Sequence, residues 1–330
     1  MSAPRFGVTA RLLVALLCAC VLALSLGYVE IPLADVVRAA AGDGDAATVA
    51  IVREIRLPRV LLAAAVGAAL GVSGATLQGL LRNALAEPGV IGVTASGGLG
   101  AAFALHFGLT SASVWLLPAS AMAATALCTL VLLAVAARGS ALTLILAGVA
   151  LSSLATALTS LVINLSANPF ALTELLFWLL GSLKDRSFDD LALMLPFACA
   201  GAALMLASGP ALEALALGDE TARSLGVDVR RTQALVVVGT ALAVGASVAV
   251  AGAIGFVGLV VPHLLRRAVG HSPRALLVPS AVGGAVLLVV ADAGVRFLGV
   301  NPELHLGVVT GLLGAPFFLM MVLRTSRGES

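Results

Sequence analysis

Between Val60 and Leu77 the chain carries no charged residue. The apolar run around this stretch is long enough to cross a bilayer core as a helix, which takes about 20 residues. The arginines Arg53, Arg56 and Arg59 stand at one end of it, and a polar stretch, Gln-Gly-Leu-Leu-Arg-Asn-Ala-Leu-Ala-Glu-Pro-Gly, at the other. Within the run, Gly67, Ala68, Gly71, Ser73, Gly74 and Ala75 recur near three- and four-residue spacing. That spacing lays a smooth strip along one helix face, against which other helices can pack closely. The segment reads as one wall of a transmembrane pathway.

Runs of this kind recur at 12–28, 57–81, 90–108, 113–136, 141–165, 190–208, 233–252, 253–269, 275–297 and 305–324. They predict an all-α polytopic membrane protein of about ten transmembrane helices. The seventh and eighth runs touch, so the break between them falls in 252–258. Residues 1–330 form a single transmembrane domain in this reading, with 209–231 as its longest polar loop. Hydrophobic residues make up 60% of the chain and charged residues 11%, which excludes a soluble domain pair of the same length. The net charge of +2 says nothing about nucleic acid, but no basic tract is present, and no nucleic-acid partner is expected. Cys18, Cys20, Cys128 and Cys199 lie in apolar runs without metal-ligand spacing and are expected to pack as small hydrophobes.

Arg5 and Arg11 before the first run fit either a signal peptide or a retained first helix, and Leu17-Cys18-Ala19-Cys20 weakly resembles a lipoprotein cleavage box. A chain with many later spans needs no cleaved signal, so a retained helix is expected. With the N-terminus inside, twelve arginines fall on the inner side, among them Arg82, Arg138, Arg223, Arg230, Arg231, Arg266, Arg267 and Arg327. Seven basic residues fall outside, so the positive-inside trend puts both termini in the cytoplasm. The outer cluster Arg53, Arg56 and Arg59 runs against that trend.

The first outer loop, 29–50, contains Gly42-Asp43-Gly44-Asp45, a turn signal. Asn168-Pro169 breaks the chain after the fifth run, and Trp178 reads either as an interfacial anchor or as part of a short re-entrant element. In the inner loop, Asp219 can cap a short helix that Gly226 ends. Leu212, Leu215, Leu217 and Leu225 give that loop a greasy face, for a partner protein or for its own bundle.

Polar groups inside a membrane are costly and so are suspects for function. Candidates are Ser73, Gln78, Thr125, Thr129, Ser152, Ser153, Thr156, Thr159, Ser160, Ser247 and Asp292. Hydroxyls can bond back to their own helix, and Asp292 with Arg296 makes an i,i+4 ion pair. Gly71-Val72-Ser73-Gly74 fits an intramembrane serine protease, but His106, His263, His271 and His305 all lie at run ends or in loops, away from Ser73. A phosphate-binding loop needs Gly-Lys-Ser/Thr, and the one lysine, Lys184, precedes Asp185. This chain is therefore expected to bind no cofactor; if ATP drives it, ATP and magnesium are on a separate chain. What remains is a passive conduit worked by partners at both mouths, or a secondary transporter or channel acting alone.

Several motifs stand in order: Arg56-Leu57-Pro58-Arg59, Ser73-Gly74 with Gln78, Arg82-Asn83-x-Leu85-Ala86-x-Pro88, Leu217-Gly218-Asp219-Glu220-x-Ala222-x-x-Leu225-Gly226, Gly255-Phe256-Val257-Gly258-Leu259-x-x-Pro262-His263-x-x-Arg266, Ala291-Asp292-x-x-x-Arg296 and Gly307-Val308-Val309-Thr310-Gly311-Leu312-Leu313-Gly314-x-Pro316-Phe317-Phe318. Together they resemble the FecCD/BtuC family, permease subunits of ABC importers for iron–siderophore, haem and vitamin B12. The resemblance implies a non-enzymatic, inner-membrane subunit that dimerises with a second permease chain. Two copies of an ATP-binding subunit would lie beneath, and a periplasmic substrate-binding protein above. It implies docking through Arg56, Arg59 and Arg296, and coupling to the ATPase through Leu215, Leu217, Gly218, Asp219, Glu220, Ala222, Arg223, Leu225 and Gly226. It implies an inner gate at Asn83 and Leu85 and at Ser140 and Thr143. The expected cargo is an iron–siderophore complex, with haem and cobalamin as alternatives. One residue departs from the family: Ala84 stands where a proline would fix the gate turn.

Overall fold

The computed structural model describes residues 3–27, 29–136, 141–166, 169–300 and 302–326. Among them there are helices and no strands. In chain order these are α1 (Ala3–Ser25), α2 (Leu33–Ala41), α3 (Ala46–Ala50), α4 (Leu57–Leu81), α5 (Val93–His106), α6 (Leu116–Ala136), α7 (Ala141–Leu165), α8 (Pro169–Leu179), α9 (Phe188–Ala207), α10 (Gly209–Leu215), α11 (Asp219–Ser224), α12 (Val229–Ala251), α13 (Val257–Val269), α14 (Pro273–Leu298) and α15 (Leu306–Ser326). Seven of the helical stretches are long and apolar enough to cross a membrane: α1, the continuous run into α4, α6, α7, α9, α12 and α14.

Helix α4 is the centre. It lies antiparallel to α14, Gly67 against Gly284 and Gly71 against Ser280, and Gly74 rests on Gly258 of α13. A Cβ at any of these three glycines of α4 would collide with the neighbouring backbone. The small-residue strip thus sets helix-to-helix contact at backbone distance. The same device joins α9 to α12 through Gly201 and Gly239, and α5 to α6 through Gly100 and Ser120.

Two helices are shorter than their apolar runs. With 14 and 13 residues, α5 and α13 extend about 20 Å each, less than a bilayer core of about 30 Å. Backbone outside the α-helices fills the rest: residues 82–92 before α5, which include a 3-10 turn, and 252–256 before α13. Glycine and proline account for this, since Gly92 and Gly252 are left-handed in φ and Pro88 opens only a 3-10 turn. Irregular backbone at such depth needs protein partners. It has them: Ser152 Oγ donates to the Gly89 carbonyl (3.3 Å), and Gln78 Nε2 donates to those of Gly258 (3.3 Å) and Leu259 (3.4 Å).

The loop after α1 is more ordered than its polarity suggests. It forms α2 and α3 around a turn at Gly42, and Asp45 accepts from the Thr48 amide at the start of α3. A π-helical turn, Ile51–Arg56, runs into α4. Trp178 is not an interfacial anchor. It is 7% exposed, and its carbonyl abuts Gly252, whereas Phe177 faces outward and stacks on His305. Among the cysteines only Cys128 is buried; Cys18 and Cys199 lie on the apolar exterior.

Candidate functional site

Charged and polar groups gather at the two ends of α4. Arg59 and Arg82 are 23 residues apart, about 35 Å along the helix.

At the Arg59 end the three arginines of the expected docking patch come together, but they do not form an exposed patch. Arg56, Arg59 and Arg296 are 5%, 8% and 5% exposed. Arg59 Nε donates to both oxygens of Asp292 (2.9 and 3.1 Å), and its Nη2 also bridges to Glu303. Arg296 pairs with the same Asp292 at 3.2 Å. The other guanidinium faces end α1: Arg296 Nη1 donates to the carbonyls of Ala23 (2.9 Å) and Leu26 (3.1 Å), and Arg56 to those of Leu24 (2.7 Å), Ser25 (2.9 Å) and Val29. Cations at the open carbonyls of a helix C-terminus are favourable. The expected patch is thus turned inward in this chain: carboxylates and carbonyls hold most of its donors, and Arg296 Nη2 is buried without a hydrogen-bond partner. The i,i+4 pair of Asp292 and Arg296 is one edge of a buried network reaching α1, α4 and the loop before α15. Glu303 went unread because its partner lies 244 residues away in sequence.

At the Arg82 end, Arg82 closes α4 in a left-handed conformation (φ 48°) and bridges to Asp219 at 2.9 Å. Asp219 is thus not the cap of α11. Gly218 holds that position with φ 104°, and Asp219 is the first helical residue. The polar loop expected to couple to an ATPase divides its leucines. Leu212 and Leu215 are buried on the bundle, whereas Leu217 (65%) and Leu225 (62%) are exposed. Ala222 is buried, Glu220, Arg223 and Gly226 are exposed, and Gly226 ends α11 with φ 84°. Leu212 and Leu215 thus fold back onto the bundle, and Leu217 and Leu225 stay exposed in the single chain.

The turn expected to form a gate follows Arg82. Asn83 Oδ1 accepts from the Leu85 amide (2.9 Å), and the Asn83 carbonyl accepts from the Ala86 amide (3.1 Å). This Asx turn fixes the backbone that the absent proline would have fixed, so Ala84 is accommodated. Leu85 is half-buried, as is Thr143 in the first turn of α7. Ser140, Arg138, Asn168 and Arg327 lie outside the described residues. Gln78 joins this end to α13, because Arg266 Nη2 donates to its Oε1 (2.6 Å). Ser73 is fully buried, and its Oγ has no hydrogen-bond partner. Nothing there activates a nucleophile.

Helix α7 differs from the other polar helices. Ser153, Thr156, Ser160 and Asn164 are all exposed and lie within about 80° on one face. Each bonds to the carbonyl four residues back, at 2.9, 2.8, 3.0 and 3.2 Å. The residues were legible as polar, but their shared outward face was not, since it depends on which side of α7 the bundle covers.

Residues 14–324 match the model of the FecCD transport family. The chain belongs to the FecCD transport family. Among its relatives, an uncharacterized ABC transporter permease of Bacillus subtilis, YvrB, is 38% identical, over 93% of this chain and 91% of its own. A vitamin B12 import system permease, BtuC of Vibrio cholerae, is 41% identical over 83% of each chain. An Fe(3+)-citrate import system permease of Bacillus subtilis, YfmE, is 34% identical, covering 82% of this chain and 81% of its own. A solved metal-chelate type ABC transporter in an inward-facing conformation superposes with a TM-score of 0.84 at 31% identity, over 97% of this chain and 99% of that one. This FecCD chain is accordingly a multi-pass ABC importer permease with the BtuC-like fold. Its family works with ATP-binding and substrate-binding partners.

Proposed function

We propose that this chain is the inner-membrane permease subunit of an importer for a bulky iron chelate of the siderophore class, moved by alternating access. The observation that carries the reading is the exposed face of α7. Four polar side chains on one outward stripe of a membrane-length helix suit a water-lined path, not lipid. A path along an outward face needs a second wall, which a second permease copy supplies. Because the hydroxyls are already satisfied by their own helix, the wall offers shape and weak polarity without fixed charge. That suits a large chelate whose metal is wrapped in organic ligand.

Two ATP-binding subunits would sit at the Arg82 end, on the cytoplasmic side with both termini. Leu217 and Leu225 are the exposed apolar contacts available to them. ATP and magnesium belong to those subunits. A substrate-binding protein would dock at the Arg59 end, where its carboxylates reach Arg59 only by displacing Glu303. The relative that imports Fe(3+)-citrate and the metal-chelate transporter fold favour an iron chelate. The 41% identity to a vitamin B12 permease favours cobalamin as the second reading.

The test is uptake into proteoliposomes holding this chain with its ATP-binding subunits and binding protein. Radiolabelled ferric siderophore is expected to accumulate only with internal ATP. Accumulation of cobalamin instead would replace the cargo, and uptake by the chain alone would replace the mechanism.

A further inference from the structure

The carboxylate of Glu87 was assigned no part by the motifs, yet it lies where the two half-length helices meet. Its Oε2 accepts from the backbone amide of Phe256 (3.3 Å), the residue before α13. That amide points from the open N-terminus of a helix, where a negative group is favoured. Phe256 has φ 64°, a conformation that a residue with a bulky side chain adopts at a cost and only when its surroundings impose it. The surroundings are visible: Glu87 holds its amide, and its ring presses on Gly314 of α15 so closely that no Cβ would fit there. Pro88, next in the chain, packs against Gly258 in the first turn of α13.

The same turn grips α7 on its other side. Ser152 of α7 donates to the Gly89 carbonyl, and Gly148 of α7 lies against Val90 and Ile91 with no room for a Cβ. Its upstream end is Arg82, bonded to Asp219 of α11. Residues 82–92 thus touch three things in sequence: the polar loop, the start of α13 and the helix with the outward polar stripe. No charged group takes part in these contacts with α7, which are the Ser152 hydroxyl bond and the close approach of Gly148. The contact with α13 includes one charged group, and that group is Glu87.

We infer that Glu87 is a positioning residue of the transport cycle: it clamps the start of α13 to the turn between α4 and α5, so that displacement of the polar loop moves α13 and α7 together. This rests on the permease reading above. Without the carboxylate, the turn still follows α11 through Arg82, but α13 follows weakly. Glutamine keeps an acceptor for the Phe256 amide and loses the charge, so it keeps part of the coupling. Leucine loses both.

The experiment uses the full chain with its ATP-binding subunits in lipid nanodiscs, carrying spin labels at the exposed positions Leu146 on α7 and Leu264 on α13. A second pair joins Leu146 to Ala216, an exposed position of the loop outside the expected ATPase contacts. Magnesium-ATP with vanadate is expected to change both distances in the parent protein. In Glu87→Leu the α7–loop change should persist, while the α7–α13 change falls by at least half. Glu87→Gln should lie between, which a mere packing defect would not produce. An α7–α13 change of full size in Glu87→Leu overturns the inference and leaves the permease reading standing. A parent complex that fails to bind the ATP-binding subunits, or to respond to nucleotide, overturns both.

Discussion

Helices α4 and α7 have 25 residues each and similar leucine and alanine content, yet α4, richer in glycine, buries twenty of its residues, and α7, richer in hydroxyls, four. The difference lies in where the small residues fall. In α4, Gly67, Gly71 and Gly74 repeat at spacings of four and three, so they share one face and admit two other backbones. In α7, Gly148 stands by itself against the turn at Val90, with Ser152 on the same side, and Ser153, Thr156 and Ser160 repeat on the outward side. Apolar content decides that both enter the bilayer. The phase of the small residues decides which becomes the pillar and which the wall. The charges sort accordingly: α4 ends in ionic clamps at both termini, and none of the ion pairs of the described residues involves α7.

The largest effect should come from the clamp at the first turn of α4. Asp292→Ala leaves Arg296 without its carboxylate and Arg59 with Glu303 alone, in a site that excludes water. Removing one partner of a buried pair costs about 3–5 kcal/mol, readable as reduced unfolding free energy in detergent. A loss under about 1 kcal/mol, the size of an exposed pair, would show that the Arg59 end is solvated and that α4 is not pinned there. Next in size is the glycine face. Gly74→Val pushes a side chain into the backbone of Gly258, and overpacking costs about 1–3 kcal/mol. Ala157→Val, at an exposed site of α7, should stay within about 0.5 kcal/mol. Equal effects at the two positions would erase the distinction between pillar and wall.

Much of this contrast was legible before any coordinates. The apolar runs gave the helices, and the glycine spacing in 67–75 marked α4 as a close-packing helix. The motif order gave the family. What was not legible has one common cause, contact between residues far apart in the chain. Arg56, Arg59 and Arg296 read as an exposed patch because Glu303 and the last carbonyls of α1 lie beyond any local window. Asp219 read as a cap because its real partner, Arg82, is on another helix. Trp178 read as an anchor because Gly252, whose missing side chain makes room for it, is 74 residues away. The short lengths of α5 and α13 were hidden by apolar residues that continue past the helix ends. The Asx turn at Asn83 was local and could have been read, since asparagine followed by a small residue after a helix end is a turn signal in its own right.

A smaller effect is expected at the other end of α4. Arg82 and Asp219 are 44% and 34% exposed at their side chains, so the pair is worth about 0.2–1 kcal/mol in a double-mutant cycle of Arg82→Ala and Asp219→Ala. Raising the salt concentration should shrink that coupling, while the Asp292 effect stays put. A coupling near that of the buried clamp would mean the polar loop is welded to α4, and that the asymmetry between its two ends is wrong.

The smallest change in stability should follow the polar stripe itself. Thr156→Val with Ser160→Ala removes two hydroxyls that bond only within α7. Back-bonding of this kind adds little to a helix and can bend it slightly, so the unfolding free energy should move by no more than about 0.5 kcal/mol. Transport should nonetheless fall, because the stripe would lose the polarity a chelate and its water need. Accessibility gives the same answer without a cargo. In a variant with Cys18, Cys20, Cys128 and Cys199 replaced, Ser160→Cys should react with a charged, water-soluble thiol reagent at least ten times faster than Leu127→Cys on α6. Both sites are exposed in the single chain, so only a surrounding of water on one side and lipid on the other separates their rates. Equal, slow reaction at both would put α7 in lipid, and the pathway would have to be sought along another face.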